Sequence, residues 1–245
     1  MFDAVLLAAG YGNRISNLTM GKPKALLSFG RGTILDHIIN HLKNLKDLND
    51  IILITNETHK SFFEKWLEKS NYAKIKLISN GVNNSKKPRG AISDALFAIE
   101  TCNLSKKDLL IAGTDWVSLE KNLSELSYKF IKEKNSFVAL YDYKKRELVK
   151  KLACAILNKD NLITELEEKP ENPQTTLGVP PIFFIKSVDI YLLKELADKG
   201  IDSIGYYLEE LSKKRRLSGY ILENPILDIG TPEDYAKAKI LIDEY

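Results

Sequence analysis

The chain has 245 residues, of which 44% are hydrophobic and 28% are charged, and its formal net charge is only +3. This composition is typical of a globular protein with a substantial core, and it excludes disordered, collagen-like and mucin-like chains. The small net charge argues against a nucleic-acid-binding surface. The short apolar start, which no basic segment precedes, argues against a membrane anchor.

The first half of the chain alternates between apolar runs and amphipathic segments. Apolar runs predict buried strands at residues 4–8, 51–55, 74–79 and 109–112. Apolar residues at helical spacing predict helices at residues 33–48, 60–69 and 91–101. This alternation indicates a parallel sheet that is covered by helices on both faces.

The second half is less regular, and a mixed sheet is expected there. Strands are predicted at residues 137–141, 154–157, 162–167, 182–185 and 217–222. Helices are predicted at residues 187–199, 204–213 and 232–243, the last with Thr231 at its N-cap and Pro232 in its first turn. The polar loop at residues 80–89 is long enough to be a candidate functional loop.

Cys102 and Cys154 lack the spacing of a zinc or redox motif, so a reduced, cytoplasmic setting is expected. His37 and His41 are four residues apart on a predicted helix, which is a spacing that can bind a metal. No acidic residue stands between them as in a metalloprotease motif, and polar positions beside the core are the favoured interpretation.

A glycine loop follows the first strand and contains Gly10, Gly12 and Arg14. Glycines allow backbone N–H groups to approach a phosphate, and Arg14 adds a positive charge. The dinucleotide-binding fingerprint requires a third glycine where this chain has Ile15, which argues against a hydride-transferring domain. The loop therefore predicts a phosphate site of another kind.

Residues 7–14, 18–19 and 23–27, which read LAAGYGNR, LT and PKALL, resemble the N-terminal signature of the sugar-phosphate nucleotidyltransferases. The resemblance continues to residues 228–235, DIGTPEDY, and so covers essentially the whole chain. It implies an α/β fold with a Rossmann-like, mainly parallel but mixed sheet. Residues 1–245 would form a single catalytic domain, with the nucleotide bound by about residues 1–115 and the acceptor by about residues 116–245.

The resemblance also implies a reaction, in which a phosphorylated acceptor attacks the α-phosphorus of a nucleoside triphosphate and pyrophosphate leaves. Arg14 and Lys24 would be the catalytic cations. The nucleotide would be bound by Leu7, Ala8, Gly10, Tyr11, Gly12, Ser85 and Gly90. The glutamine that usually helps to read the base is absent upstream of Gly90, so uridine, thymidine, cytidine and guanosine all stay open.

Asp115 and Asp228 are the candidate ligands of a Mg²⁺ cofactor, because this cation prefers oxygen ligands. Relatives usually have Gly-Asp after the apolar strand, whereas this chain has Gly113, Thr114 and then Asp115. The alternative interpretation of Asp115 is a helix N-cap or a turn aspartate.

Glu168 and Lys169 match a Glu-Lys-Pro motif that, by resemblance, contacts the acceptor. Two departures from the family pattern concern the same pocket: Ala153-Cys154 replaces Tyr-Gly, and Pro180-Pro181 replaces a small residue and glycine. Side chains at glycine positions would reshape the pocket. The expected acceptor is a sugar 1-phosphate, with a polyol phosphate or phosphocholine left open.

Two other functions are considered. One is a cytidylyltransferase that acts on a cofactor or lipid precursor. The other is a non-catalytic regulatory homologue, which is disfavoured because Arg14, Lys24 and Asp228 are all retained. The expected partners are a nucleoside triphosphate and a phosphorylated small molecule, without nucleic acid or membrane, and a homo-oligomer is compatible with the sequence.

Overall fold

The computed structural model of the protein describes residues 1–70, 72–120 and 123–243. Its strands are β1 (Phe2–Leu7), β2 (Ser28–Phe29), β3 (Gly32–Thr33), β4 (Leu48–Thr55), β5 (Ile75–Ser79), β6 (Leu109–Gly113), β7 (Trp116–Ser118), β8 (Ser136–Asp142), β9 (Ala153–Leu157), β10 (Ile163–Glu168), β11 (Leu177–Val179), β12 (Ile182–Ile185), β13 (Leu217–Ile221) and β14 (Ile226–Asp228). Its α-helices are α1 (Ser16–Thr19), α2 (Ile34–Leu42), α3 (Lys60–Lys69), α4 (Ala91–Thr101), α5 (Ser124–Lys132), α6 (Arg146–Val149), α7 (Tyr191–Asp198), α8 (Ile204–Lys214) and α9 (Pro232–Asp243).

The central sheet has ten strands in the order β10-β9-β11-β8-β12-β6-β1-β4-β5, with β13 beside β8. Strands β6, β1, β4 and β5 are parallel to one another. Strand β12 joins β6 in antiparallel orientation, and most pairs beyond it are antiparallel, although β13 runs parallel to β8. The predicted α/β class and mixed sheet are confirmed, with the longest parallel part in the first half of the chain.

Hydrophobic cores lie on both faces of the sheet. In β1, Phe2, Ala4 and Leu6 belong to one core, and Val5 belongs to the other. Helices α2, α3, α5 and α9 pack on the first face, whereas α4, α7 and α8 pack on the second. Because the β1 side chains alternate between two covered faces, the strand reads as a continuous apolar run.

The helix predicted at residues 33–48 is shorter than expected and ends at Leu42. It begins at a capping box, in which the Thr33 hydroxyl accepts from the Asp36 backbone N–H and the Asp36 carboxylate accepts from Thr33. Leu45 was included in the predicted helix because it continues the apolar spacing. It is buried, but it lies in a turn that follows the helix, in which its N–H donates to the Leu42 carbonyl. Asp47 then adopts a positive φ of 62° as the chain turns into β4.

The last helix, α9, has the predicted bounds, and its predicted cap is confirmed. The Thr231 hydroxyl accepts from the Asp234 backbone N–H at 3.2 Å and donates to the Asp234 carboxylate at 2.8 Å. Within the described ranges, no helix has the length and apolar character required to cross a membrane.

Candidate active site

Two cavities meet at the carboxyl ends of strands β1 and β6. Their volumes are about 410 and 600 Å³. The residues that line both are Leu7, Gly10, Arg14, Asp115 and Gly230. We call the joined cavities the cleft. In open α/β sheets, ligands bind outside the carboxyl ends of the parallel strands, so the cleft is the candidate active site.

Most of the predicted site residues line this cleft. They are Leu7, Ala8, Gly10, Gly12, Arg14, Lys24, Gly90, Asp115, Glu168, Lys169 and Asp228. Tyr11 and Ser85 do not line it. The Tyr11 hydroxyl instead donates to the Val82 carbonyl at 3.2 Å, and its ring packs beside His59. Ser85 is exposed within the loop that follows β5, so the structure does not bring these two side chains to the cleft.

The glycine loop owes its course to Gly12, whose φ of 64° and ψ of 31° lie in the left-handed region. Residues with a side chain rarely adopt this conformation, whereas glycine does so without penalty. Gly12 is followed by a 3-10 turn at Asn13–Ile15, in which the Ile15 N–H donates to the Gly12 carbonyl at 3.0 Å. The turn directs Ile15 into the core and leaves Arg14 in the cleft.

Lys24 and Arg14, the two cations of the predicted site, both lie in the cleft, but only Lys24 has an ion-pair partner within the described ranges. The Lys24 side chain is 14% exposed, and its ammonium group donates to the Asp115 carboxylate at 2.8 Å. The Arg14 side chain is exposed and lies over Gly230, with Nη1 3.6 Å from the position that a Cβ would occupy there. Among the described residues, Arg14 has no hydrogen-bond or ion-pair partner, so its donors are free to bind an anionic ligand.

Asp115 and Asp228 are brought together by the antiparallel pairing of β7 with β14. Asp228 is the register partner of Trp116, and the Ile229 N–H donates to the Asp115 carbonyl at 2.7 Å. Thr114, the additional residue after Gly113, is buried and donates its hydroxyl to the Leu7 carbonyl at 3.1 Å. This inward turn of Thr114 leaves Asp115 at the cleft, although Asp115 is displaced by one residue in the sequence.

The electrostatics of this pair suit a bound cation. Asp228 contacts solvent inside the cleft, but the cleft walls remove much of its hydration. This desolvation, and secondly the Asp115 carboxylate, raise the pKa of Asp228 to about 6, and Lys24 and Arg14 oppose the rise. A cation between the two carboxylates would relieve their repulsion.

No group of three or more His, Cys, Asp or Glu side chains converges as a metal site in the part of the chain that the structure describes. Mg²⁺ does not require one, because it usually retains waters and binds one or two carboxylates together with substrate phosphates. Asp115 and Asp228 therefore fit a Mg²⁺ ion that is shared with a phosphate ligand.

Glu168, which the resemblance assigns to the acceptor, lies in the cleft at the end of β10. We call this part of the cleft the expected acceptor side. Its side chain is 6% exposed, accepts from the Ser203 hydroxyl at 2.8 Å and lies 3.2 Å from the Lys169 ammonium group. A Cβ at Gly205 would lie 1.8 Å from Glu168 Oε2, so any other residue there would force the carboxylate to move. The first turn of α8 thus fixes the glutamate.

Only part of the expected change in the acceptor pocket is found. Pro181 lines the cleft, as expected for a side chain at a position where relatives have glycine. Ala153 also lines it, but stands where relatives have tyrosine and so presents a smaller side chain. The expectation for Cys154 was wrong: its side chain is buried, and Sγ donates to the Val149 carbonyl at 3.3 Å. Adjacent strand residues point to opposite faces, so Ala153 alone of the pair faces the cleft.

Several cleft residues were not predicted from the sequence. Lys150 and Lys151 lie on the expected acceptor side, and Asp94 and Asp234 lie on other walls. Asp234 could have been identified, because it belongs to the C-terminal motif that contains Asp228. The lysine pair lies two residues before a predicted strand, which was a weaker signal.

His37 and His41 lie outside the cleft, as expected. Their Nε2 atoms are 3.2 Å apart, and His37 Nε2 is 3.1 Å from the Ser118 backbone N–H. Burial lowers the pKa of both histidines, that of His41 to about 4. They act as neutral side chains that link α2 to β7.

Comparison with known proteins identifies the family. The chain matches the nucleotidyl transferase family model over residues 3–244. The bifunctional protein GlmU of Methanocaldococcus jannaschii is 28% identical over 246 residues, which cover 99% of this chain and 55% of that protein. The bifunctional sugar-1-phosphate nucleotidylyltransferase/acetyltransferase of Sulfurisphaera tokodaii is 25% identical over 231 residues, which cover 94% of this chain and 52% of the relative. The chain spans about half the length of these curated relatives.

Solved structures share the fold. A UDP-glucose pyrophosphorylase complexed with UDP-glucose matches with a TM-score of 0.82 and 17% identity, over 100% of this chain and 99% of that one. A UTP-bound UGPase from Acinetobacter baumannii matches with a TM-score of 0.79 and 14% identity, over 99% of this chain and 93% of that one. With the family model matched over residues 3–244, the chain belongs to the nucleotidyl transferase family.

Proposed function

We propose that the chain transfers a nucleoside monophosphate from a nucleoside triphosphate to a sugar 1-phosphate. An oxygen of the acceptor phosphate attacks the α-phosphorus, and the bond from that phosphorus to the oxygen bridging to the β-phosphate breaks. Pyrophosphate leaves with the bonding electron pair, and a nucleoside diphosphate sugar remains. The relative from Sulfurisphaera tokodaii, whose name includes sugar-1-phosphate nucleotidylyltransferase, supports this reaction class.

The observation that carries the proposal is the joint position of Arg14, Lys24, Asp115 and Asp228 in one cleft. Phosphoryl transfer requires positioning and charge neutralisation more than covalent chemistry by the protein. The free guanidinium of Arg14 would bind the triphosphate oxygens. Lys24 would move its donors from Asp115 toward the phosphates, where negative charge develops in the transition state.

Mg²⁺ is part of the proposal. Asp115 and Asp228 would hold it together with phosphate oxygens, because a bound cation would offset the repulsion between the two carboxylates that helps to raise the pKa of Asp228. When bound, it would supply positive charge against the leaving pyrophosphate. A cytoplasmic location, in keeping with two unpaired cysteines, is also proposed.

A second acceptor class is supported by the composition of the cleft wall. Pro181 adds side-chain atoms at a position where relatives have glycine, Ala153 is smaller than the tyrosine of relatives, and Lys150 and Lys151 add positive charge to that side. A polyol phosphate would suit this reshaped wall, because its open chain can adapt to the changed shape and its phosphate would meet the lysine ammonium groups. This candidate keeps the same reaction and differs only in the acceptor.

The test is a pyrophosphate-release screen. Each of ATP, CTP, GTP, UTP and dTTP is incubated with sugar 1-phosphates, polyol phosphates or phosphocholine, with Mg²⁺ or with excess chelator. We expect release that depends on both an acceptor and Mg²⁺. Asp228→Asn should abolish most of it, whereas Asp160→Asn, at a position outside the cleft, should not. Absence of acceptor-dependent release from every pair would refute the proposal.

A further inference from the structure

One buried carboxylate in the cleft has no role in the proposed reaction. Asp94 lies in the first turn of α4, is 6% exposed, and lines the cleft beside Pro88, Gly90 and Ala91. Its Oδ1 atom accepts from the Asn80 side-chain amide at 2.7 Å. None of the described residues donates to Oδ2. A carboxylate can accept about four hydrogen bonds, so Asp94 has unused acceptor capacity.

Asn80 fixes the orientation of this carboxylate. It is itself 6% exposed, and its Oδ1 atom accepts from the Val82 N–H at 2.9 Å while Nδ2 donates to Asp94. The Arg89 guanidinium stacks 4.6 Å from the Phe97 ring and contacts the Asn80 carbonyl. The end of β5 and the start of α4 are therefore held together, and Asp94 is preorganised rather than mobile.

The wall of the cleft that contains Asp94 suits a nucleobase better than a phosphate. If the triphosphate binds at the glycine loop, two walls of the cleft remain for the nucleoside and the acceptor. The wall with Lys150, Lys151 and Lys169 suits the phosphorylated acceptor, because it supplies cations. On the wall with Asp94, none of the residues that the structure describes adds a cation to the cleft lining, so a nucleobase is the better occupant.

This wall also supplies hydrogen-bond donors. Helix α4 begins directly after Gly90, and the first N–H groups of a helix have no partner within it. The Ile92 N–H is already used, since it donates to the Asp202 carbonyl, but the N–H of Ala91, which lines the cleft, has no acceptor among the described residues. Backbone donors next to a carboxylate would recognise a base that presents a carbonyl oxygen beside N–H groups.

We infer that Asp94 reads the nucleoside base and selects guanine, an inference that rests on the proposed nucleotidyl transfer. Guanine presents O6 to a donor and both N1–H and the N2 amino group to a carboxylate. Uracil and thymine offer a single N–H, and their O2 atom would face the carboxylate unfavourably. Cytosine and adenine place an unprotonated ring nitrogen where guanine has N1–H.

The protonation behaviour of Asp94 agrees with this role. Desolvation raises the pKa of Asp94 to about 6, and Asn80 and Arg89 oppose the rise. The free protein therefore supplies too few donors to stabilise the buried charge fully. The N1–H and N2 amino donors of guanine would supply the missing hydrogen bonds.

The test measures binding without an acceptor, by titration calorimetry with Mg²⁺ and each of GTP, ITP, UTP, CTP, dTTP and ATP. ITP lacks only the N2 amino group of GTP. We expect the wild-type protein to bind GTP about 10- to 100-fold more tightly than ITP or UTP, the range for a hydrogen bond to a charged group. Asp94→Asn keeps the shape and the acceptor for Asn80, and should bring GTP and ITP to within about threefold of each other.

Asp198→Asn is the matched control, because Asp198 is an exposed aspartate that does not line the cleft. The GTP-to-ITP ratio should survive this change. Preference for a base other than guanine, or an unchanged ratio in Asp94→Asn, would overturn the assignment of Asp94 and leave the proposed reaction intact. Failure to bind any nucleoside triphosphate would reject both.

Discussion

The Lys24 ammonium group lies 2.8 Å from the Asp115 carboxylate, which joins two residues that are 91 positions apart in the sequence. The contact links the segment after the glycine loop to the end of β6, at the centre of the cleft. It holds the proposed catalytic cation beside a candidate metal ligand. Each charge thereby limits the desolvation cost of the other.

Replacement of Lys24 by methionine should lower kcat by about 100- to 1,000-fold, the usual cost of losing one group that stabilises transition-state charge. Methionine preserves most of the side-chain length and packing. Lys22→Met, at an exposed position two residues earlier, is the control and should retain activity. Equal activity of both variants would remove Lys24 from the mechanism.

Arg14→Ala should reduce turnover without destabilising the protein, because the Arg14 side chain is exposed and has no partner among the described residues. The expected loss in kcat is about 100-fold or more. The thermal unfolding midpoint should stay close to that of the wild type. The control is Arg31→Ala, another exposed arginine. A large shift in the midpoint would indicate a structural role instead.

Local chemistry in the sequence predicted much of this site. The glycine loop, Arg14 and Lys24 lie within a short segment, and the structure places them on one cavity. The bounds of α3, α4 and α9 also followed from local patterns. The proximity of Asp115 and Asp228 was predicted only through the resemblance. It depends on the pairing of β7 with β14, and no local sequence pattern indicates that pairing.

Other features depend on contacts that the sequence does not encode locally. The inward turn of Thr114 depends on the Leu7 carbonyl, 107 residues away. The assignment of Cys154 rather than Ala153 to the pocket was wrong because a shift of one residue along a strand reverses the face. An aspartate in the first turn of a helix usually stabilises the helix dipole, so nothing in the sequence indicated that Asp94 faces the cleft.

Gly205→Ala should weaken acceptor binding, although residue 205 carries no functional group. An added Cβ would overlap Glu168 Oε2 and displace that carboxylate from Ser203. We expect the KM for the acceptor to rise at least tenfold while the KM for the nucleotide stays within about twofold. Glu168→Gln should have a similar effect.

The control for this pair is Glu171→Gln, an exposed glutamate three residues further along the chain. Its kinetic constants should match those of the wild type. An unchanged acceptor KM in Gly205→Ala, with the protein folded, would show that Glu168 does not position the acceptor.

Stability should fall as the pH drops below about 6.5, in part because of His41. Burial lowers the pKa of His41 to about 4 in the folded protein, whereas its ordinary value is 6.5. The unfolded chain therefore binds more protons between these values, and protonation favours unfolding. The contribution of neutral His41 to the free energy of unfolding is fully present above pH 6.5 and is lost as the pH falls toward 4. It amounts to at most about 3 kcal/mol.

The measurement is the free energy of unfolding at pH 7.5 and pH 5, for the wild type and His41→Gln. The variant cannot titrate in this range, so its loss of stability on acidification should be smaller. An equal loss in both proteins would mean that His41 does not contribute to the acid sensitivity.

The most direct test of the central claim follows the two ends of the triphosphate. The protein is incubated with Mg²⁺, a mixture of sugar 1-phosphates and a mixture of the nucleoside triphosphates, labelled with ³²P at the α position in one experiment and at the γ position in another. We predict that the α label enters a nucleoside diphosphate sugar and the γ label enters pyrophosphate, and that both transfers cease with chelator or in Asp228→Asn. Appearance of the γ label in inorganic phosphate without any α-labelled sugar product would contradict the account.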